Sequence, residues 1–308
     1  MPRGFLTLAD IAVEDWPAVW DRTAELERNR LATSLSGKTI ALVFEKASTR
    51  TRVSFEVAAY ELGGHAVVLS SDGSQLARGE PAEDTARVLA AYCHAIVVRT
   101  FGQERVAAFA RAASVPVING LSDQHHPCQV ATDLYTVRQH FGPSFGQRRY
   151  AWVGDGNNMA HSWIEAAGMF GLELALACPD GFAPDPLLVA AARDAQKRLG
   201  RGTITLTTDP REAARGAHVV STDVWASMGQ EADATRRKLA FADFQVNAAL
   251  LQLAAPDGIV LHCLPAHRGE EITSDILDGP RSLAWVQAAN RLHVAKALLE
   301  RVMQPPVT

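Results

Sequence analysis

Long apolar runs are missing from this sequence. No stretch approaches the roughly 20 consecutive apolar residues that span a bilayer, so we expect no membrane partner. The opening residues, MPRGFLTLADIAVEDW, lack the charged-then-apolar layout of a secretory signal. Cysteine is scarce: Cys93, Cys128, Cys178 and Cys263 form no CxxC pair, which excludes a disulfide framework and predicts reduced thiols in a cytoplasmic protein. An excess of positive charge is also lacking. The net charge is -4, with 30 Lys and Arg against 34 Asp and Glu, so a general nucleic-acid binder is not expected. There is no internal repeat and no low-complexity tract.

What remains is an ordinary globular balance, 47% hydrophobic and 21% charged, in 308 residues, a length that suits about two domains. Short apolar runs alternate with amphipathic ones. TIALVFE, HAVVLS, AIVVRT and VPVIN read as strands in the first half. A charged break at GQRRY follows, and then AWVG, LELALA, TITLTT, HVVST and GIVLHC. The segment TRVSFEVAAYELGG carries apolar residues at helical spacing and closes on Gly63. HPCQVATDLYTVRQHFG places Pro127 in a first turn and Gly142 at the stop. This alternation predicts two domains, each with a central parallel β-sheet flanked by helices. Their boundary falls near 141–149, and a long last helix begins near Leu283.

Ligands of open α/β sheets bind beyond the C-terminal strand ends. Two glycine motifs there are decoys. ATSLSGKT has Ala32 where a phosphate-binding loop needs glycine, and it precedes a strand instead of following one. GDGNNMA follows a strand but carries Met159 at the third glycine position of a dinucleotide fingerprint, so a tight turn explains it better.

The strand ends carry chemistry. After the first strand come Ser48, Thr49, Arg50, Thr51 and Arg52, either a capped helix with surface arginines or a helix N-terminus built for an anion. Arg99 ends the third strand, where snorkelling to solvent is the plain alternative. His126 and Gln129 share a face of the helix after the fourth. The spacing of His125, His126 and Cys128 is poor for zinc, and we predict no metal and no cofactor. In the second half, Asn157 and Asn158 follow the first strand, and Asp223, Ser227 and Met228 lie in STDVWASMGQE. Cys263 ends GIVLHC, where inert packing is the plain reading of a buried thiol, and Arg291 lies in the last helix. Taken together, one polar cluster follows almost every strand. The first half offers cations and amides for a phosphate and a carbonyl, and the second offers an acid, amides and a hydroxyl for an amino acid. A cleft between the two would bring an acyl phosphate against an amine.

The segments FEKASTRTR, RGEPAEDTARV, NGLSDQHHPCQ, GDGNN, DVWASMGQE and HCLPAHRGEE, in this order, resemble ornithine carbamoyltransferases of the aspartate/ornithine carbamoyltransferase family. The resemblance implies a carbamoyl phosphate domain at 1–141, joined by a C-terminal helix at 283–308, and an ornithine domain at 149–280, with the active site in the interdomain cleft. It implies that Ser48, Thr49, Arg50 and Thr51 hold the phosphate, with Gln75 reaching in from a neighbouring subunit. Thr51, Arg99, His126 and Gln129 would hold the carbamoyl group, and Arg291 would reach the same side. Asn158, Asp223, Ser227 and Met228 would hold the amino-acid end of L-ornithine, and Cys263 and Leu264 would line the path of its side-chain amine. Arg99, His126, Asp223 and Cys263 would be the catalytic set. The expected reaction transfers the carbamoyl group from carbamoyl phosphate to the δ-amine of ornithine, giving citrulline, a step of arginine biosynthesis, in a homotrimer or a multiple of it. A carbamoyltransferase for putrescine or an acylated ornithine, and a silent relative acting as a binding subunit, are the alternatives.

Overall fold

The computed structural model describes residues 4–70, 79–226 and 233–304. The chain divides into two compact units, Met1–Thr132 with Ala289–Thr308, and Asp133–Ala288.

The first unit is built on four parallel strands, β1 (Thr39–Phe44), β2 (His65–Ser70), β3 (Ala95–Arg99) and β4 (Val117–Leu121), in the order β2-β1-β3-β4. All of β3 and nearly all of β1 are buried, which is why both read as unbroken apolar runs: helices cover both faces of a parallel sheet. β2 is an edge strand and alternates between exposed and half-buried positions. Ala41, Val43, Ile96 and Val98 pack with Leu89, Val106 and Phe109 from the helices Ala82–Tyr92 and Gln103–Ala112. The C-terminal end of the helix Ala284–Met303 is tied to this unit by charge. Lys296 is fully buried and donates to Glu61 at 2.9 Å and to the carbonyls of Leu26 and Arg30, while Arg22 grips Glu300 through two nitrogens at 2.6 and 2.9 Å. A buried ammonium is tolerable only with such partners, and the arrangement fixes the helix that carries Arg291.

The second unit has five parallel strands, β5 (Arg149–Val153), β6 (Glu173–Ala177), β7 (Thr203–Thr207), β8 (Val219–Thr222) and β9 (Ile259–His262), in the order β7-β6-β5-β8-β9. The charged stretch read as a break thus ends inside a strand. Arg149 and Tyr150 belong to β5, and Arg149 pairs in register with Glu173 across the sheet, with their side chains 3.6 Å apart. The helices Asn158–Phe170 and Pro186–Leu199 pack so closely that a methyl on Gly168 would lie 2.9 Å from the Cα of Ala192. In both sheets the strand order reverses direction next to the first strand of the unit, between β1 and β3 and between β5 and β8. A crevice opens outside the strand ends at such a switch point.

Candidate active site

At the β1 end of the first unit, Ser48 caps the helix Thr49–Glu61 in an extended conformation, its hydroxyl accepting from the Thr51 N–H at 3.1 Å. Such a cap contributes about 1 kcal/mol and points the remaining N–H groups of the first turn outward. The Thr51 side chain is buried, and its hydroxyl accepts from Arg291 Nη2 at 2.9 Å. Arg291 also donates through Nη1 to the side-chain oxygen of Gln129. A residue near the C-terminus thereby links the β1 turn to the helix Pro127–Phe141.

β3 and β4 slip by one residue at this point. Val98 faces Asn119 but Arg99 faces Leu121, so Gly120 is the extra residue of a bulge. Bulges re-aim side chains beside functional sites. Here Gly120 lets the strand approach Thr51, since a methyl group on it would sit 3.3 Å from Thr51 Cγ2. His126 is buried, and its imidazole is held well below the usual histidine range, first by burial and then by the guanidiniums of Arg291, Arg99 and Arg50. The ring is therefore neutral at neutral pH. The same interactions place three arginines around one imidazole, a potential that calls for an anion. Arg52 stands apart from them: it is exposed and pairs with Glu56 one turn on. Cys128 faces away as well, its thiol donating to the Asn119 carbonyl at 3.3 Å, and burial pushes its pKa up to about 12. A protonated thiol turned to a carbonyl does not suit a zinc ligand.

The second unit presents the opposite sign. Asn157 caps the helix Asn158–Phe170 through hydrogen bonds from the Met159 and Ala160 N–H groups, and its Nδ2 donates to Asp223 at 3.0 Å. Asp223 is buried and accepts from the Val224 N–H at 2.8 Å and from the Cys263 thiol at 3.0 Å, both at Oδ1. Asn158 starts the helix and is half-buried. Behind Cys263, the Leu264 N–H donates to His262 Nδ1 at 2.9 Å, so the His262 proton lies on Nε2, which meets Glu271 at 3.0 Å. Leu264 adopts φ 58°, a left-handed conformation that a branched side chain takes only under local constraint. The glycines of GDGNN answer a packing need. Gly154 has φ 147°, and a methyl on Gly156 would lie 2.3 Å from the Pro184 nitrogen.

The structure thus gathers Ser48, Arg50, Thr51, Arg99, His126, Gln129 and Arg291 in one unit, and Asp223 and Cys263 in the other. Gln75, Ser227 and Met228 lie outside the described residues. Asn157 is the site contact that sequence reasoning passed over in favour of its neighbour. The signal was present, since an asparagine just before a helix is a cap, and a cap fixes where its amide points.

Comparison with known proteins also divides the chain in two, although it assigns the end of the last helix to the second part. Residues 3–139 match the model of the aspartate/ornithine carbamoyltransferase carbamoyl-P binding domain, and residues 147–302 that of the Asp/Orn binding domain. An ornithine carbamoyltransferase of Pelobacter propionicus is 52% identical over 307 residues, covering 98% of this chain and 99% of that protein. The solved ornithine carbamoyltransferase of Pyrococcus furiosus superposes with a TM-score of 0.92 at 45% identity, covering 97% of this chain and 96% of that one. The anabolic ornithine carbamoyltransferase of Campylobacter jejuni gives 0.93 at 39% identity, with 97% and 98% covered.

Proposed function

The chain belongs to the aspartate/ornithine carbamoyltransferase family, and from that premise we propose that it transfers the carbamoyl group of carbamoyl phosphate to the δ-amine of L-ornithine, giving citrulline and phosphate. The observation that carries the choice of acceptor is the buried Asp223 carboxylate, oriented by Asn157 and bonded to the Cys263 thiol. A buried carboxylate needs a cation, and the α-ammonium of a free amino acid supplies one. Putrescine lacks the α-carboxylate that the neighbouring amides suit, and an acylated ornithine lacks the ammonium.

In this reading a donor domain, 1–141 with 283–308, holds carbamoyl phosphate. Ser48, Thr49, Arg50 and Thr51 bind the phosphate, with Gln75 supplied by a neighbouring subunit. Arg99, His126, Gln129 and Arg291 hold the carbamoyl group. A neutral His126 donates a ring N–H to the carbamoyl oxygen as charge develops there, alongside Arg99 and Thr51. One such aimed donor contributes roughly 2.7–4 kcal/mol to the barrier, and fixing two reactants in attack geometry contributes roughly 7–11 kcal/mol. The acceptor is held by an ornithine domain, 149–280, through Asn158, Asp223, Ser227 and Met228, with its amine directed past Cys263 and Leu264. An alkylammonium has a pKa of about 10.4 in water, and a positive charge beside the bound amine would favour its neutral, nucleophilic form. Attack on the carbamoyl carbon expels phosphate without a covalent enzyme intermediate. The amine's proton leaves with the phosphate or passes to the Cys263–Asp223 pair.

We further propose a homotrimer or a multiple of it, working in the cytoplasm in arginine biosynthesis. Val53 and Tyr60 on the helix Thr49–Glu61, and Val67 on the edge strand β2 against which that helix packs, are 50%, 74% and 40% exposed, apolar surface that a second copy could cover. No disulfide joins any of the four cysteines, in keeping with a reducing compartment. Among the described residues no helix is long and apolar enough to cross a membrane. The deciding assay offers carbamoyl phosphate with ornithine, putrescine or N-acetylornithine and follows the ureido product. Preferred turnover of either rival amine overturns the ornithine assignment. Sedimentation of a fully active monomer overturns the trimer.

A further inference from the structure

Arg237 lies fourteen positions beyond Asp223 and belongs to none of the motifs discussed above. It sits on the helix Ala234–Ala240, and its side chain is only 10% exposed. One nitrogen, Nη1, donates twice, to the Asp155 carboxylate at 2.7 Å and to the Trp225 carbonyl at 2.7 Å. The guanidinium also lies over the Phe182 ring, 4.9 Å from its centroid. Each of these three partners belongs to a segment that holds the acceptor side. Asp155 lies two residues before Asn157. Trp225 lies two residues after Asp223. Phe182 gives its carbonyl to the Gly156 N–H at 2.9 Å, where no side chain fits between the two segments.

We infer that Arg237 is a positioning residue for the acceptor site, clamping the turn after β5 to the segment after β8 so that Asn157 and Asp223 stay in hydrogen-bond register. This rests on the ornithine reading given above. The alternative is a buried ion pair that merely stabilises the second unit. Two facts favour positioning. The clamp reaches both of the segments that contribute to the Asn157–Asp223 bond, so its loss frees them relative to each other. It also balances charge at the site. Burial raises the Asp155 carboxyl and the Arg237 hydrogen bond opposes that rise, while the Asp223 charge adds to it. Without Arg237, the buried Asp155 carboxylate would lose its cationic partner while still feeling the Asp223 charge.

The experiment starts with the unmodified enzyme, since failure to form citrulline from ornithine would sink the ornithine reading itself and not the clamp. With turnover established, Arg237→Met keeps the apolar stem and removes the charge and both hydrogen bonds. The expected result is a rise in the KM for ornithine of roughly 30-fold or more, the scale of losing one side of a buried charge pair. The kcat should stay within about threefold, and calorimetric affinity for carbamoyl phosphate within about twofold. Arg237→Lys retains the charge but lacks the planar fork, so its ornithine KM should lie between the two. A folded Arg237→Met protein with a KM for ornithine within about twofold of wild type overturns the inference. So does an equal weakening for both substrates, which marks general loosening. Should Arg237→Met fail to fold, Arg237→Lys decides alone, and an unchanged ornithine KM in it overturns the inference as well.

Discussion

The two units solve one architectural problem and reach opposite electrostatic answers. Both are parallel sheets with a reversal of strand order, between β1 and β3 in one and between β5 and β8 in the other. Both place a helix N-terminus just past the first of these strands, capped by Ser48 and by Asn157. Around the first, Arg50, Arg99 and Arg291 surround an imidazole held neutral. Around the second, a buried carboxylate collects an amide and a thiol. The backbone therefore supplies the location, and the side chains supply the sign of the ligand. A transfer between an anionic donor and an ammonium-bearing acceptor needs one of each.

The largest expected effect comes from breaking the cationic side. Arg50→Ala should weaken carbamoyl phosphate binding by roughly 2–5 kcal/mol, from about 30-fold to several thousandfold, while leaving the thermal midpoint within a few degrees of wild type, because Arg50 is only partly buried. Titration calorimetry checks this. Unchanged affinity in a folded variant would remove the phosphate cradle from the account.

The matching change on the anionic side is Asp223→Asn, which keeps the size and removes the charge. We expect a loss of roughly 2–5 kcal/mol in ornithine recognition with carbamoyl phosphate affinity almost unaltered. Steady-state kinetics give both values. A kcat/KM for ornithine near that of wild type would break the contrast between the units.

Gly156→Ala sharpens the comparison through packing. Its methyl would lie 2.3 Å from the Pro184 nitrogen and 2.4 Å from the Ala183 carbonyl carbon, both of them backbone atoms that cannot swing aside. A destabilisation of about 1–3 kcal/mol follows, together with a raised KM for ornithine, since Gly156 adjoins Asn157. Denaturant midpoints and kinetics test the pair of effects.

The smallest effect concerns pH. His126 has a folded-state pKa depressed below its unfolded value of about 6.5. Below that value the unfolded chain binds the proton more readily than the folded one, so stability is fully present above about pH 6.5 and falls as the pH drops toward the folded pKa. His126→Asn should flatten part of this acid loss. An unaltered slope of the denaturant midpoint between pH 5 and 7 would contradict it.

Much of this was legible in the sequence for a definite reason. Strands covered on both faces are largely apolar, so β1, β3, β8 and β9 announce themselves, and the residues that follow them are where a parallel sheet places a ligand. Ser48, Asp223 and Cys263 were chosen by that rule, and the structure places each at such a strand end. The start of β5 was missed because Arg149 is stabilised by Glu173 on the neighbouring strand, a partner that hydrophobic patterning does not see. Asn158 came from the resemblance, and that Asn157 caps the helix and bonds Asp223 shows only in the fold.

By itself the sequence determined the alternation of strands and helices, the polar ends of the strands and the chemical kind of each cluster, because these depend on local propensity and on burial of apolar runs. Tertiary structure decided the rest. It brought Arg291 to Thr51 across 240 positions of chain, shifted the register of β3 and β4 at the extra residue Gly120, and tied Arg237 to Asp155 over 82 positions. Contacts at such separations leave no periodic trace. Their geometry exists only once the sheets have closed the loops, and the neutral state of His126 exists only once burial and three guanidiniums act on it together.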